Sequence, residues 1–555
     1  MSGRRLAPAL AILLTLVGVA RIVATYAVYN QTVDEPAHIA AGMQLLDHGT
    51  FYYEPKHPPL PRIAVALGPY LAGIRWHHNP RMYDEGNLIL EEGGKYVRNL
   101  SLARAGTLPF FIFACFIVYA WSRRLFGDPA AVVSVGLFSQ LPPILAHSGL
   151  ATTDMALAAT LPAAIYAFTL WLDHPGTRET VILGVALGLA VLSKISAVVF
   201  VPASVVAVLA AKWFLERRRP APGPEPAQSP AWRQGLPRKL AIMAGVCLLV
   251  MFAAYRFNVP YPKELGGRIP LPFYEFLKGL YQIFVHAEHG HPGYLFGEKR
   301  WTGWWYFFPV TLGIKTPIGF LLLMALAVAL LVGLVRRRRN WRLVAPVAAA
   351  AVILMISMKS PINNGVRHVL PLYTLMAVVT GFGVVEAWNS ARFQTPARAA
   401  VAVFALWMTI SSARAHPDYL PFFNELAGRH PETIVVDSDL CWGQDYFRLV
   451  DTVKARGLKR VWVAYHGSLD RHHHNLPNMG MHTLRQNTPV TGWVAANIRD
   501  LKGVRYTGYM WIEQYKPVTR IGESMYLYYI PPGADSIPAA AADSSLSPDS
   551  TLSPE

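Results

Sequence analysis

LAPALAILLTLVGVARIVATYAVYNQTVDEPAH (Leu6–His38) is the stretch from which the fold class can be read. Its first part, Leu6 to about Val28, is apolar apart from Arg21 and is long enough to cross a hydrocarbon core of about 30 Å. Arg4 and Arg5 precede it, so the positive-inside rule sets the N-terminus in the cytoplasm and delivers Asp34 and Glu35 to the outer surface. A cleavable signal peptide over Leu6–Ala20 is the alternative, but no clear small-residue cleavage site follows. Both readings leave Asp34 outside.

The same pattern recurs along the chain. With 53% hydrophobic and 15% charged residues, the 555-residue chain has too little polar surface to clothe a soluble globule. A net charge of +17 would suit nucleic acid, yet Lys and Arg gather in short clusters between apolar runs, as in cytoplasmic loops, so a nucleic-acid partner is set aside. Spans are expected at about 6–28, 99–121, 129–146, 154–172, 239–256, 309–335, 342–358, 367–388 and 397–413. The run 181–214 is too long for one span and breaks at Ser193-Lys194, giving two more and a total of about 11.

The expected architecture is therefore a polytopic α-helical membrane protein of the cytoplasmic (inner) membrane. Its transmembrane domain covers 1–413, with outer segments at 29–98 and 258–308. An odd number of spans sends the C-terminus outside, where 414–532 reads as a small α/β extracytoplasmic domain. There TIVVDSD (Thr433–Asp439) and KRVWVAYH (Lys459–His466) are expected strands around a helix at Gln444–Arg456, and Ser524–Ile530 is the expected last strand. The Pro-rich 220–237 reads as a flexible cytoplasmic loop, and 533–555 as a disordered tail. Cys115, Cys247 and Cys441 are isolated and form no metal-ligand or disulfide pattern.

Asp34 and Glu35 are ionisable groups just beyond a span, where they are costly unless paired or used. One of them can serve as a general base at the mouth of an outward-facing cavity; a solvated acidic pair is the alternative. The following HGTFYYEPKHPPLPR (His48–Arg62) is too rich in Pro and aromatics for a span and suggests interfacial helices around a turn at His57-Pro58-Pro59. With GWWYFFPVTLGIKTP (Gly303–Pro317), NNGVRHVLPLY (Asn363–Tyr373) and PDYLPFFNELAG before DSDLCWGQD (Pro417–Asp445), this order of motifs resembles the protein O-mannosyltransferase and lipid A aminoarabinose transferase group of GT-C enzymes.

The resemblance implies the GT-C fold and transfer of a sugar from a polyprenyl-phosphate donor to a protein, lipid or glycan acceptor. It implies Asp34 as catalytic base, Glu35 as a supporting carboxylate or a substrate-positioning group, and Asp154 as a further acid. Asp154 has an alternative reading as a helix N-terminal acid. The donor phosphate calls for cations: Lys194, which resembles the family's phosphate-binding lysine, then Arg367 and His368, with Lys56 in support. Snorkelling to lipid headgroups is the alternative for Lys194 and Arg367. Tyr53, Glu54 and His57 are candidates for the substrate-facing loop. No metal is assigned to the site. A divalent cation on His286, Glu288, His289 and His291 is the one cofactor left open, and His472–His474 read as a solvated loop. Cys441 stands where relatives often carry Asp, which argues against a role for that position. A transporter or flippase, and a non-catalytic surface-assembly protein, are the rival functions. The first would place its charges near the bilayer midplane, whereas here they gather at the outer ends of spans.

Overall fold

The computed structural model describes residues 3–51, 53–217, 234–262, 264, 266–390, 394–474 and 480–532. Most of the expected Pro-rich loop and the expected tail lie outside these residues. The helices are α1 (Gly3–Val23), α2 (Glu35–His48), α3 (Pro59–Leu71), α4 (Met82–Glu91), α5 (Tyr96–Ala105), α6 (Leu108–Phe126), α7 (Asp128–Phe138), α8 (Pro142–Ser148), α9 (Asp154–Asp173), α10 (Thr177–Ser193), α11 (Ala197–Arg217), α12 (Leu236–Ala254) and α13 (Tyr274–His289). A hairpin, β1 (Gly293–Leu295) and β2 (Glu298–Arg300), leads to α14 (Phe307–Lys315), α15 (Ile318–Arg338), α16 (Ala345–Ser357), α17 (Pro371–Trp388) and α18 (Gln394–Arg414).

Among the described residues, eight segments are long and apolar enough to cross a membrane, and α7 with α8, bent by 67°, makes a ninth. With the shorter α10 and α16 included, each of the eleven apolar segments read from the sequence is helical. One expected span is corrected: 309–335 breaks at Thr316-Pro317, because the proline removes a backbone donor and restricts the residue before it. The long helix therefore begins at Ile318, and Lys315 ends a separate helix beneath the site.

Burial sorts the helices. The apolar windows of α9 and α17 are 89% and 78% buried, whereas those of α1, α11, α12, α15 and α18 are at most 28% buried, as expected of lipid-facing helices. Small residues let α17 approach its neighbours closely. A Cβ on Gly381 would meet Ser134 Oγ of α7 at 2.2 Å, and one on Gly383 would meet Ala327 Cα of α15 at 2.4 Å. The two ends of the bundle differ in charge. At one end Arg124 and Arg342 pair with Asp173 at 3.0 and 2.6 Å, close in sequence to the Arg336–Arg338 end of α15. At the other end, the starts of α2, α9 and α17 and the break after α10 converge.

The C-terminal part holds α19 (Tyr446–Ala455), β3 (Arg460–Ala464), α20 (Arg471–His474), β4 (Gly480–Thr483), β5 (Gly492–Asn497), α21 (Ile498–Leu501), β6 (Thr519–Ile521) and β7 (Met525–Ile530). The sheet runs β4-β3-β5-β7-β6, with β3 parallel to β4 and β5, and with β7 antiparallel to β5 and β6. Leu449 and Val453 of α19 cover one face and continue into a cluster with Ile39, Met43, Ile89 and Leu100, so the sheet is docked on α2, α4 and α5. TIVVDSD is not a strand of this sheet, contrary to expectation. Pro431–Thr433 is a 3-10 turn, Val435 makes one bridge to Leu295, and Val435, Val436, Ser438 and Asp439 are all buried. Burial on both sides comes from wedging between the helices and the sheet, and that removes the period-2 alternation of a half-buried strand.

Candidate active site

The loop that presents the adjacent acids is held from below by an ion pair invisible in linear sequence. Glu35 is fully buried, and its carboxylate accepts from Arg104 Nε at 2.8 Å and Nη2 at 2.9 Å. The amides of Ala151 (2.8 Å) and Thr32 (2.7 Å) complete its shell. Burial alone would raise this carboxyl; Arg104 and the hydrogen bonds outweigh it and hold the group below the usual range. Arg104 spends its other donors on the carbonyls of Tyr26, Tyr29 and Asn30. The pair thus ties the end of the first span, the Asp34 loop, α5 and the turn before α9 into one unit, and leaves Glu35 no room to touch a substrate.

Asp34 points the other way. Its side chain keeps 28% exposure, and Oδ2 accepts from Arg367 Nη1 at 2.9 Å. Arg367 also stacks on the Trp442 ring, 4.3 Å from its centroid. It is therefore clamped between a carboxylate and an aromatic face and does not snorkel to the lipid. Gly365, with φ +86°, sets this up: a Cβ there would meet Asp439 Oδ2 at 2.6 Å. Without one, the buried Asp439 carboxylate reaches the Val366 amide and pins the turn that carries Arg367. Asp439 also meets His147 Nε2 at 3.2 Å, while its carbonyl accepts from the buried Lys315 Nζ at 3.0 Å. Val33 N donates to Trp442 O, and Asn30 Nδ2 donates to Gly443 O, so DSDLCWGQD is stitched to the Asp34 loop. Cys441 within it turns away, its Sγ accepting from Asn497 Nδ2 at 3.1 Å.

Lys194 caps the break after α10 and donates to Asp154 Oδ1 at 2.6 Å, so two residues expected at the site are partners of each other. Of the three donors on an ammonium, this leaves two for a ligand. His57 and His368 lie within the field of Lys194, Arg367 and Asp154. Burial first, then nearby cations (Arg62 and Lys194 for His57, Lys194 and Arg367 for His368), holds both imidazoles well below their ordinary value, so they are neutral donors or acceptors. His57 Nδ1 and His368 Nε2 are buried without a hydrogen-bond partner. His57 packs edge-on against His38 of α2 at 4.9 Å, and His38 Nδ1 is likewise unsatisfied.

The rest of the expected loop is divided. Glu54 is bound to Arg62 of α3 at 2.5 Å, which fixes the turn carrying Lys56 and His57. Tyr53 is engaged elsewhere: its hydroxyl donates to Asn79 O at 2.6 Å and accepts from Trp76 Nε1 at 2.9 Å. Among the described residues, no group of three or more His, Cys, Asp or Glu side chains comes together to hold a metal. His289 instead meets the Val285 carbonyl of its own helix. Linear reading assigned no role to Arg104, His147, Lys315, Asp439 or Trp442. The signal available for Arg104 was a lone cation at the start of an apolar run. For Lys315, Asp439 and Trp442 it was their presence within the quoted motifs.

No curated protein sequence matches the chain. Residues 103–220, which include Asp154 and Lys194, match the family model described as dolichyl-phosphate-mannose-protein mannosyltransferase. The fold is similar to that of ArnT from Cupriavidus metallidurans bound to undecaprenyl phosphate, at 12% identity and a TM-score of 0.50 over 95% of this chain and 99% of that one. It is also similar to the archaeal oligosaccharyltransferase AglB from Archaeoglobus fulgidus, in complex with an inhibitory peptide and a dolichol-phosphate. That match has 13% identity and a TM-score of 0.50 over 94% of this chain and 74% of that one. The chain is thus a multi-pass membrane protein with the GT-C fold, and its resemblance to the protein O-mannosyltransferase group is carried in sequence by residues 103–220.

Proposed function

We propose that this chain is a membrane glycosyltransferase that moves a sugar from a polyprenyl-phosphate donor to an acceptor at the outer face of the cytoplasmic membrane. One observation carries the reading. Five separate segments bring the partly exposed Asp34, the Arg367 guanidinium, the Lys194–Asp154 pair and His57 and His368, each with a buried unsatisfied ring nitrogen, to one end of the bundle. The opposite end carries the arginine clusters, which by the positive-inside rule belong to the cytoplasm. An outward site cannot draw on cytoplasmic nucleotide sugars, and a lipid-linked donor meets that need. ArnT bound to undecaprenyl phosphate and AglB in complex with a dolichol-phosphate accord with such a donor.

In this reading Lys194 and Arg367, with His368 and His57, hold the phosphate as negative charge develops on it. Lys56, on the same turn as His57, is a further candidate for the same task. Asp34 accepts the proton of the acceptor hydroxyl as its oxygen attacks the anomeric carbon and polyprenyl phosphate departs. A single displacement inverts the anomeric configuration. Asp154 holds Lys194 in place, and Glu35 holds the loop.

The test is sugar transfer in membranes holding equal amounts of wild type or Asp34→Asn, with a panel of radiolabelled polyprenyl-phosphate sugars and native membrane extract as acceptor. Transfer from one donor by wild type, lost in the variant, is expected. Equal transfer by both would remove Asp34 as base. Absence of transfer from every donor, with an active relative run in parallel, would overturn the enzyme reading.

A further inference from the structure

The structure holds a buried arginine that the site above does not use. Arg499 lies in α21, 7% exposed, and its Nε is buried with no hydrogen-bond partner. Among the described residues its guanidinium forms no ion pair. A buried, unpaired charge is expensive, and removing such a cost is what a bound counter-ion does. Two acids in its field, Asp437 and Asp500, compensate it only in part. Burial and the neighbouring Asp439 push Asp437 up to about 7, and burial pushes Asp500 up to about 6.

The surroundings are those of an anion cradle. Ile498 and Val504 pack with Tyr294, Val436 and Leu440, which seats α21 directly against the β1 hairpin and the DSDLCWGQD wedge. His291, just ahead of β1, and His466, just after β3, both feel the charges of Arg499 and Arg505. His291 Nε2 is buried and unsatisfied as well. His291 also lies within the field of Arg367, and His368 within that of His291, so the two basic clusters are neighbours in the fold.

We propose that Arg499, with His291, His466 and Arg505, forms a second oxyanion site that takes a tetrahedral phosphate-class group, distinct from the donor phosphate held at Lys194 and Arg367. A planar guanidinium with unused donors suits a phosphate, and two neutral imidazoles can donate to its remaining oxygens. The group comes either from a phosphate on the acceptor or from free inorganic phosphate. The first assignment rests on the proposed glycosyltransferase reading; the site itself does not.

The experiment is thermal unfolding of the full chain in detergent, titrated with inorganic phosphate against chloride at equal ionic strength and pH. Lys194→Met removes a cation of the donor site, and this variant is expected to keep a saturable rise in Tm. Adding Arg499→Gln should abolish the rise, and Arg499→Lys should keep part of it. Because Arg499 is unpaired, Arg499→Gln should unfold in chloride at the same or a higher temperature than its parent. An equal phosphate response with and without Arg499→Gln, or no response in Lys194→Met, would overturn the site. So would a lower Tm in chloride with an unchanged phosphate response, which marks a merely structural arginine. Where transfer is measurable, a KM for acceptor raised at least tenfold in Arg499→Gln, with the donor KM unchanged and inorganic phosphate competing with acceptor, assigns the site to a phosphate on the acceptor. An unchanged acceptor KM beside a retained phosphate-induced shift in the parent assigns it to free phosphate. Failure of all transfer strikes the glycosyltransferase reading and leaves the unfolding result standing.

Discussion

Asp34 keeps 28% of its side chain exposed and makes one ion pair, to Arg367, whereas Glu35, the next residue, is sealed under the loop with Arg104 and two backbone amides filling its shell. The two acids differ by one methylene and one position. What separates them is direction: Glu35 opens α2 and points into the seam between the first span and α5, while Asp34 precedes the helix and faces the space between α2 and the Arg367 turn. A carboxylate with every lone pair satisfied is a fastener. One with an open face is available for chemistry.

The sharpest break in this comparison is to neutralise each acid in turn. Asp34→Asn is expected to cut the transfer rate by about 10²–10⁴, the usual contribution of a general base, while leaving the unfolding midpoint nearly unchanged. Arg104→Met leaves the Glu35 charge buried and alone, and should cost about 3–5 kcal/mol of stability, read as a loss of Tm in detergent. Glu35→Met with Arg104→Met should lose less than Arg104→Met alone, because no unpaired charge remains. If Asp34→Asn were the destabilising change and Arg104→Met the silent one, the assignment of the two acids would be reversed.

A smaller effect tests how the Arg367 side is supported. Gly365→Ala forces a Cβ against Asp439 and puts alanine at a backbone angle that favours glycine, so a loss of about 1–3 kcal/mol is expected. Measured transfer should fall with it, since the turn that aims Arg367 shifts. The smallest effect is in pH. Asp437 is held at about 7, above the usual carboxyl value of about 3.9, so the folded chain binds that proton more tightly than the unfolded one. Its favourable contribution is full below about pH 4 and is lost as pH rises through about 7. Asp437→Asn should therefore lose less stability than wild type between about pH 5 and pH 8, measured as the change in Tm across that window; an identical slope would count against it.

Much of the fold was legible because a bilayer imposes a strong one-dimensional rule. Every segment that must cross has to be apolar and helical over its length, and the eleven apolar runs carry that signature. Parts of the site were legible for a related reason. An ionisable residue at the end of a span is costly, so Asp34, Asp154, Lys194 and Arg367 stand out against their neighbours. TIVVDSD misled because a short apolar run bounded by polar residues looks alike whether a sheet or a wedge between helices buries it. The expected span 309–335 is divided by one proline inside an otherwise continuous run.

The sequence by itself determined that this is a helical membrane chain with acids and cations at the ends of its spans, because hydropathy and charge are local properties. Only the tertiary structure decided which acid is open and which is fastened, that Lys194 belongs with Asp154 and Arg367 with Asp34 and Trp442, and that, among the described residues, the Arg499 Nε is left without a hydrogen-bond partner. Those pairings join residues 40 to more than 300 positions apart. They follow from which side-chain vectors meet when the bundle and the sheet pack together, and no local property of the chain encodes that.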